Sequence, residues 1–177
     1  MKIGIDFDNI LSNTTCTYLD LFNKLVSTNY TINDIRDWDM RKVLPEKYKH
    51  LIEALWCCKG LWENIKPLSE SQVYMNLLTK EHEVYVVTAT DLQTIDYKFS
   101  WLWKNYPFLD KDKVIITKNK QLIDLDVLID DYQGNLIGGK YKGILFTYPW
   151  NEDFNAEQNN IIRVHNWTEA YKAIQSI

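Results

Sequence analysis

The chain has 177 residues, 46% of them hydrophobic and 25% charged. Those values fit one globular domain, long enough to bury about 70% of its unfolded surface without disulfide staples. A net charge of −4 and a pI of about 5.4 argue against a general nucleic-acid binder, though not against a phosphate substrate, because one metal ion can reverse the local sign.

Five strands are predicted, in chain order "KIGIDFD" (2–8), "EVYVVTA" (83–89), "DKVIIT" (112–117), "DVLID" (126–130) and "GILFTY" (143–148). All are short and rich in Ile, Val, Leu and aromatics, as buried parallel strands are. Helices are predicted over 68–80, with Ser69 as N-cap and Val73, Leu77 and Leu78 on one face, over 91–106 and over 166–177. Alternating strands and helices imply a parallel α/β sheet covered on both faces. The interval after the first strand is too long for one crossover helix. Residues 14–66 therefore read as an insertion with its own helices, one of them over 44–58. That leaves 1–13 and 67–177 as the core domain. The cysteines, Cys16, Cys57 and Cys58, have no CxxC spacing and read as free thiols of a reducing compartment. With no apolar leader and no apolar run near about eighteen residues, the chain reads as soluble, cytoplasmic and independent of membranes.

The first strand runs straight into Asp6 and Asp8. Residues i and i+2 of a strand face the same way, so both carboxylates are expected to project together at the carboxyl end of the sheet, where ligands bind. Two buried carboxylates that close ionise cheaply only around a cation. A lone DxD is more economically read as a cap or turn. The "DVLIDD" run changes the balance, because a second apolar strand also ends in acids, Asp130 and Asp131. Four carboxylates at two parallel strand ends make an oxygen-rich cluster suited to Mg²⁺. Thr88 ends the second strand, and Lys118 and Lys120 follow the third. Either lysine could hold a phosphate as a point charge.

The order DxD, strand-terminal Thr, Lys, DD resembles the haloacid dehalogenase superfamily. "DIRDWDM", "ALWCCKGLWENIKPL", "YKFSWLWKNYP", "VIITKNKQLIDLDVLIDD" and "ILFTYPWN" resemble, in that order, the 5′(3′)-deoxyribonucleotidases. The resemblance implies a Rossmann-like five-stranded parallel sheet with a small helical cap at 14–66, and a phosphoric monoester hydrolase (a nucleotidase) acting on a small nucleotide. It implies Asp6 as nucleophile and Asp8 as acid/base. Mg²⁺ would be held by Asp6, the Asp8 carbonyl and Asp131, with Asp130 in support. Thr88 and Lys120 would bind the phosphoryl group; Lys120 rather than Lys118 matches the family spacing to DD. Trp38 and Trp56 match positions that touch the base. Asn9 stands where glycine is frequent, Ala89 where some relatives have serine, and Thr14 near where others offer an aromatic. The alternatives are the same chemistry on another phosphomonoester, a catalytically silent relative, and a receiver-like phospho-acceptor module. The last is disfavoured by the DxD spacing and the long insertion. Base preference is left open, as is monomer against homodimer.

Overall fold

A computed structural model describes residues 1–177. Six strands form one parallel sheet: β1 (Lys2–Ile5), β2 (Glu83–Thr88), β3 (Val114–Ile116), β4 (Val127–Asp130), β5 (Lys142–Phe146) and β6 (Ile162–Val164), in the spatial order β3-β2-β1-β4-β5-β6. The expected count of five is corrected by β6. This strand is three residues long and pairs Ile144 with Ile162 and Phe146 with Val164 on the sheet's edge. The strand signal is weak there because Arg163 sits in the middle of the run and only Val164 is buried.

Alternation along the strands builds two cores. Ile3, Ile5, Val84, Val86, Val127, Ile129, Ile144 and Phe146 point to one face. Val87, Leu128 and Leu145 point to the other. Gly4 lies between them, and a Cβ there would meet Leu125 Cδ1 at 2.5 Å, so the close approach requires glycine. The larger face is covered by α4 (Ser71–Glu81), α5 (Ile95–Asn105) and α7 (Trp167–Gln175), which contribute Met75, Leu78, Trp101, Leu102, Trp167, Ala170 and Ile174. The other face carries only the short α6 (Gln133–Leu136) and loop residues such as Tyr141 and Ala156. Helices do lie on both faces, but unevenly. Right-handed crossovers explain the division: connections moving outward through β2 and β3 fall on one side, and those through β5 and β6 on the other.

Residues 14–66 contain no strand. They form α1 (Thr14–Val26), α2 (Lys49–Trp56), α3 (Lys59–Asn64) and short 3₁₀ turns at Ile32–Asp34, Met40–Lys42 and Glu46–Tyr48. Their Tyr18, Phe22, Ile52, Leu55, Leu61 and Trp62 belong to the same continuous cluster as Ile3, Ile5 and Phe7, so the segment is packed into the sheet's own core.

Two local expectations fail in α4. Its N-cap is Glu70, held left-handed at φ 64°, not Ser69. Of the expected face, Leu78 is buried and Leu77 half-buried, but Val73 is 61% exposed, and the buried stripe is Ser71, Met75 and Leu78. Ser71 is buried because its hydroxyl donates to the Leu68 carbonyl at 2.6 Å and meets the Tyr106 hydroxyl at 2.7 Å, which rotates the whole face. β1 also stops at Ile5, so Asp6 and Asp8 lie in the loop beyond it rather than on the strand.

Candidate active site

A cavity of about 430 Å³ opens at the carboxyl ends of β1, β2 and β4, the edge where an open parallel sheet presents its ligand crevice. Asp6, Asp8, Lys120, Asp130 and Asp131 line it together, with Trp38 and Trp56 from the 14–66 segment.

Asp6, Asp130 and Asp131 are buried, and one carboxylate oxygen from each lies within 4.8 Å of the others. One cation of the chain sits among them. Lys120 Nζ donates to Asp6 Oδ1 and to Asp130 Oδ2, both at 2.6 Å, and is itself buried. Asp130 is fully engaged: it also accepts from the Tyr132 backbone N–H at 2.9 Å and from Asn135 Nδ2. Asp131 accepts a single side-chain bond, from Asn9 Nδ2 at 2.9 Å. Its backbone carbonyl is gripped by Trp150 Nε1 at 3.0 Å and Asn151 Nδ2 at 2.8 Å.

Three buried acids against one lysine leave a negative excess, and the carboxyls register it. Burial, opposed by Lys120 and reinforced by Asp130 and Asp8, pushes the Asp6 carboxyl up to about 7. Burial, with the Asp130 and Asp6 charges, holds the Asp131 carboxyl well above the carboxylate range against the Asn9 hydrogen bond. Burial alone would lower the Lys120 ammonium, but Asp130 and Asp6 together raise it. All-oxygen donors, excess negative charge and carboxylate oxygens with no donor are what a divalent cation satisfies, so the residues present fit one.

Asp8 has separate surroundings. Lys98 Nζ donates to Asp8 Oδ2 at 2.8 Å, and Thr14 Oγ1 donates to Asp8 Oδ1 at 2.8 Å. Lys98 is 3% exposed and lies 4.6 Å from the Phe7 ring centroid and 5.8 Å from that of Trp62. It also donates to Thr88 Oγ1 at 3.0 Å. Thr88 is thus fully buried behind Lys98, and Ala89 and Thr90 form the adjoining cavity wall. Lys118 is exposed and pairs with Asp91 at 3.7 Å. Trp38 is 52% exposed and stacks on Tyr132, with centroids 4.7 Å apart. Trp56 stacks on Tyr18 at 4.9 Å. Thr14 is buried against Asp8 and is not among the residues that line the cavity.

Sequence reasoning missed Lys98, Asn135 and Trp150, and noted Asn9 and Thr14 only as departures. Lys98 carries no separate signal: within "DYKFSWLWKN" a lysine reads as the solvent edge of an amphipathic helix. Asn135, one turn beyond the DD pair, is the residue a search for donors to Asp130 could have found.

A model of the family described as 5′ nucleotidase, deoxy (pyrimidine), cytosolic type C protein matches residues 1–177. The chain belongs to this family. The nucleotidase chain is 31% identical over 172 residues to a 5′(3′)-deoxyribonucleotidase of Bacillus subtilis, covering 94% of each. It is 28% identical over 176 residues to one of Clostridium acetobutylicum, covering 99% of this chain and 95% of that one. Among solved structures it is similar to a haloacid dehalogenase-like hydrolase of Streptococcus pneumoniae (TM-score 0.69, 13% identity, 98% of each chain). It is also similar to a hydrolase of the same superfamily from Deinococcus radiodurans, solved with phosphate and sodium (TM-score 0.67, 10% identity, 99% and 95% of the two chains). Membership makes the chain a hydrolase, which removes the receiver alternative. No helix is long and apolar enough to cross a membrane.

Proposed function

We propose that this nucleotidase hydrolyses deoxynucleoside monophosphates with Mg²⁺, by way of a phosphoryl group carried on Asp6. The observation that supports this most directly is the split of the DxD pair. Asp6 lies in the acid cluster with Lys120, while Asp8, in the same cavity, is held apart by Lys98 and Thr14. That separation supports a division of labour in which one carboxylate bonds to phosphorus and the other moves protons.

Asp6, Asp131 and the Asp8 carbonyl would hold the cation, which neutralises charge on the phosphoryl oxygens and keeps Asp6 ionised. A carboxylate oxygen of Asp6 attacks phosphorus, and the bond from phosphorus to the sugar oxygen breaks. Protonated Asp8 gives its proton to that leaving oxygen, releasing the nucleoside. Asp8 then takes a proton from a water that attacks the Asp6-bound phosphoryl group, freeing inorganic phosphate and the Asp6 carboxylate. Lys120 binds phosphoryl oxygens beside Asp6; Thr88, expected to do the same, is buried outside the cavity lining and supports the Asp8 side through Lys98. The 14–66 segment serves as a cap, with Trp38 and Trp56 offering ring faces to the base.

The test is phosphate release from a panel of 5′ and 3′ deoxy- and ribonucleoside monophosphates and sugar phosphates, with Mg²⁺ or with a chelator. Release from deoxynucleotides that vanishes on chelation is the expected result. No release from any nucleotide overturns the reading, and a clear preference for sugar phosphates overturns its substrate.

A further inference from the structure

We infer that Asn9 is a positioning residue for the cation site, acting through the Asp131 carboxylate. Asn9 is 7% exposed and lines the cavity. Its backbone is left-handed, at φ 61°. Glycine meets that demand at the least cost, and asparagine tolerates it. The backbone conformation therefore does not explain why a side chain is present here. Its hydrogen bonds do.

Asn9 Nδ2 donates to Asp131 Oδ2 at 2.9 Å, and Asn9 Oδ1 accepts from the Thr15 N–H at 3.1 Å. A backbone N–H can only donate and a carboxylate can only accept, so the amide has one orientation. The side chain is thereby braced on the first turn of α1 while it holds Asp131. The Tyr148 hydroxyl fixes the same residue from behind, donating to the Asn9 carbonyl at 2.7 Å.

Asp131 depends on this bond in a way that its neighbour does not. Lys120, Asn135 and the Tyr132 N–H all hold the Asp130 carboxylate. The Asp131 carboxylate receives only the Asn9 bond, and its second oxygen accepts none. Without Asn9 the Asp131 side chain is free to turn, and a cation must first order it. Partners that orient a metal-ligating carboxylate are worth about 10–100-fold in metal affinity. This inference rests on the cation reading above.

The test is Asn9→Gly in the full chain, titrated with Mg²⁺ and Mn²⁺. The melting temperature of the substrate-free protein is one readout and phosphate release the other. The half-saturating metal concentration should rise about tenfold or more in both. KM for a deoxynucleoside monophosphate, and kcat at saturating metal, should stay within about twofold. Tyr148→Phe, which removes the brace on the Asn9 carbonyl and leaves its amide, should shift the half-saturating metal concentration much less than Asn9→Gly does. An unchanged half-saturation in Asn9→Gly overturns the inference, as does an equal rise in both variants. If Asn9→Gly does not fold, Asn9→Ser, which also drops the amide, carries the same comparison. A wild-type protein whose melting ignores both metals overturns the cation reading itself.

Discussion

Lys120 and Lys98 are both buried, and each ends on one aspartate of the same DxD pair, yet their neighbourhoods share almost nothing. Lys120 sits among carboxylates, bonded to Asp6 and Asp130 with Asp131 close by. Lys98 sits among rings, over Phe7 and near Trp62, with Asp8 as its one acidic partner. The first side of the cavity is short of positive charge; the second is balanced. One side fits a cation, whereas the other is assembled by apolar packing. The same ring cluster extends to the roof, because Trp62 Nε1 donates to the Trp56 carbonyl at 2.8 Å.

The sharpest test of that division is Asp6→Asn. Turnover should fall on the order of 10⁴-fold or more, since an amide does not replace a carboxylate nucleophile. The fold should survive, because a crowded acid has been removed. The metal-free protein tests the charge deficit separately. Unfolded, Asp6 and Asp131 titrate near 4; folded, both are raised, Asp6 to about 7. Between those limits the folded chain keeps protons that the unfolded chain has lost, so these groups make stability fall as pH rises. Metal-free Asp131→Asn should therefore melt above wild type at pH 8. The gap should close toward pH 4 and disappear when Mg²⁺ is added to wild type. Equal melting at pH 8 would mean that the acid side carries no deficit.

Lys98→Met probes the other side. Asp8 loses the partner that holds it, and kcat should drop by about 10²-fold, within the range that a positioned acid/base supplies. Half-saturating metal should stay near the wild-type value. A shift as large as that expected of Asn9→Gly would break the two-sided picture. The smallest effect is expected at the roof. Trp56→Ala and Trp38→Ala should lower kcat/KM for deoxynucleotides about tenfold to a hundredfold, the worth of one stacked base, and lower it much less for a small generic phosphomonoester. Equal losses on both substrates, with a fall in melting temperature, would make these rings packing alone.

The acid side was the more legible of the two. Asp6, Asp130 and Asp131 follow apolar runs, and a strand that ends in acids advertises an edge with chemistry. Lys120 was singled out by the resemblance alone; it is buried between Asp6 and Asp130, while Lys118 lies exposed at the cavity's edge. The aromatic side was illegible in its centre. Lys98 is buried by Phe7, Trp62 and Asp8, which lie in other elements, and nothing within its helix marks it. β6 is illegible because a three-residue run with an arginine at its centre makes no period, and the face of α4 differs from the expected one because Ser71 is drawn inward by Tyr106.

The sheet order has a consequence for how the molecule is made. β1 precedes the other strands of the sheet in the chain and stands inside it, yet its two neighbours are β2 at 83–88 and β4 at 127–130. At about 5–20 residues per second, the ribosome takes roughly 4–16 s to deliver β2 after β1 has emerged. During that interval the apolar run that opens the chain has no ladder partner, and only the helices of 14–66 can shelter it. The acid cluster forms later still, when Asp130 and Asp131 appear. A nascent chain that stalls before Asp130 carries Asp6 without the two acids that complete the cluster. The acid cluster is therefore a late product of synthesis, completed only after β2, β3 and β4 have all been made.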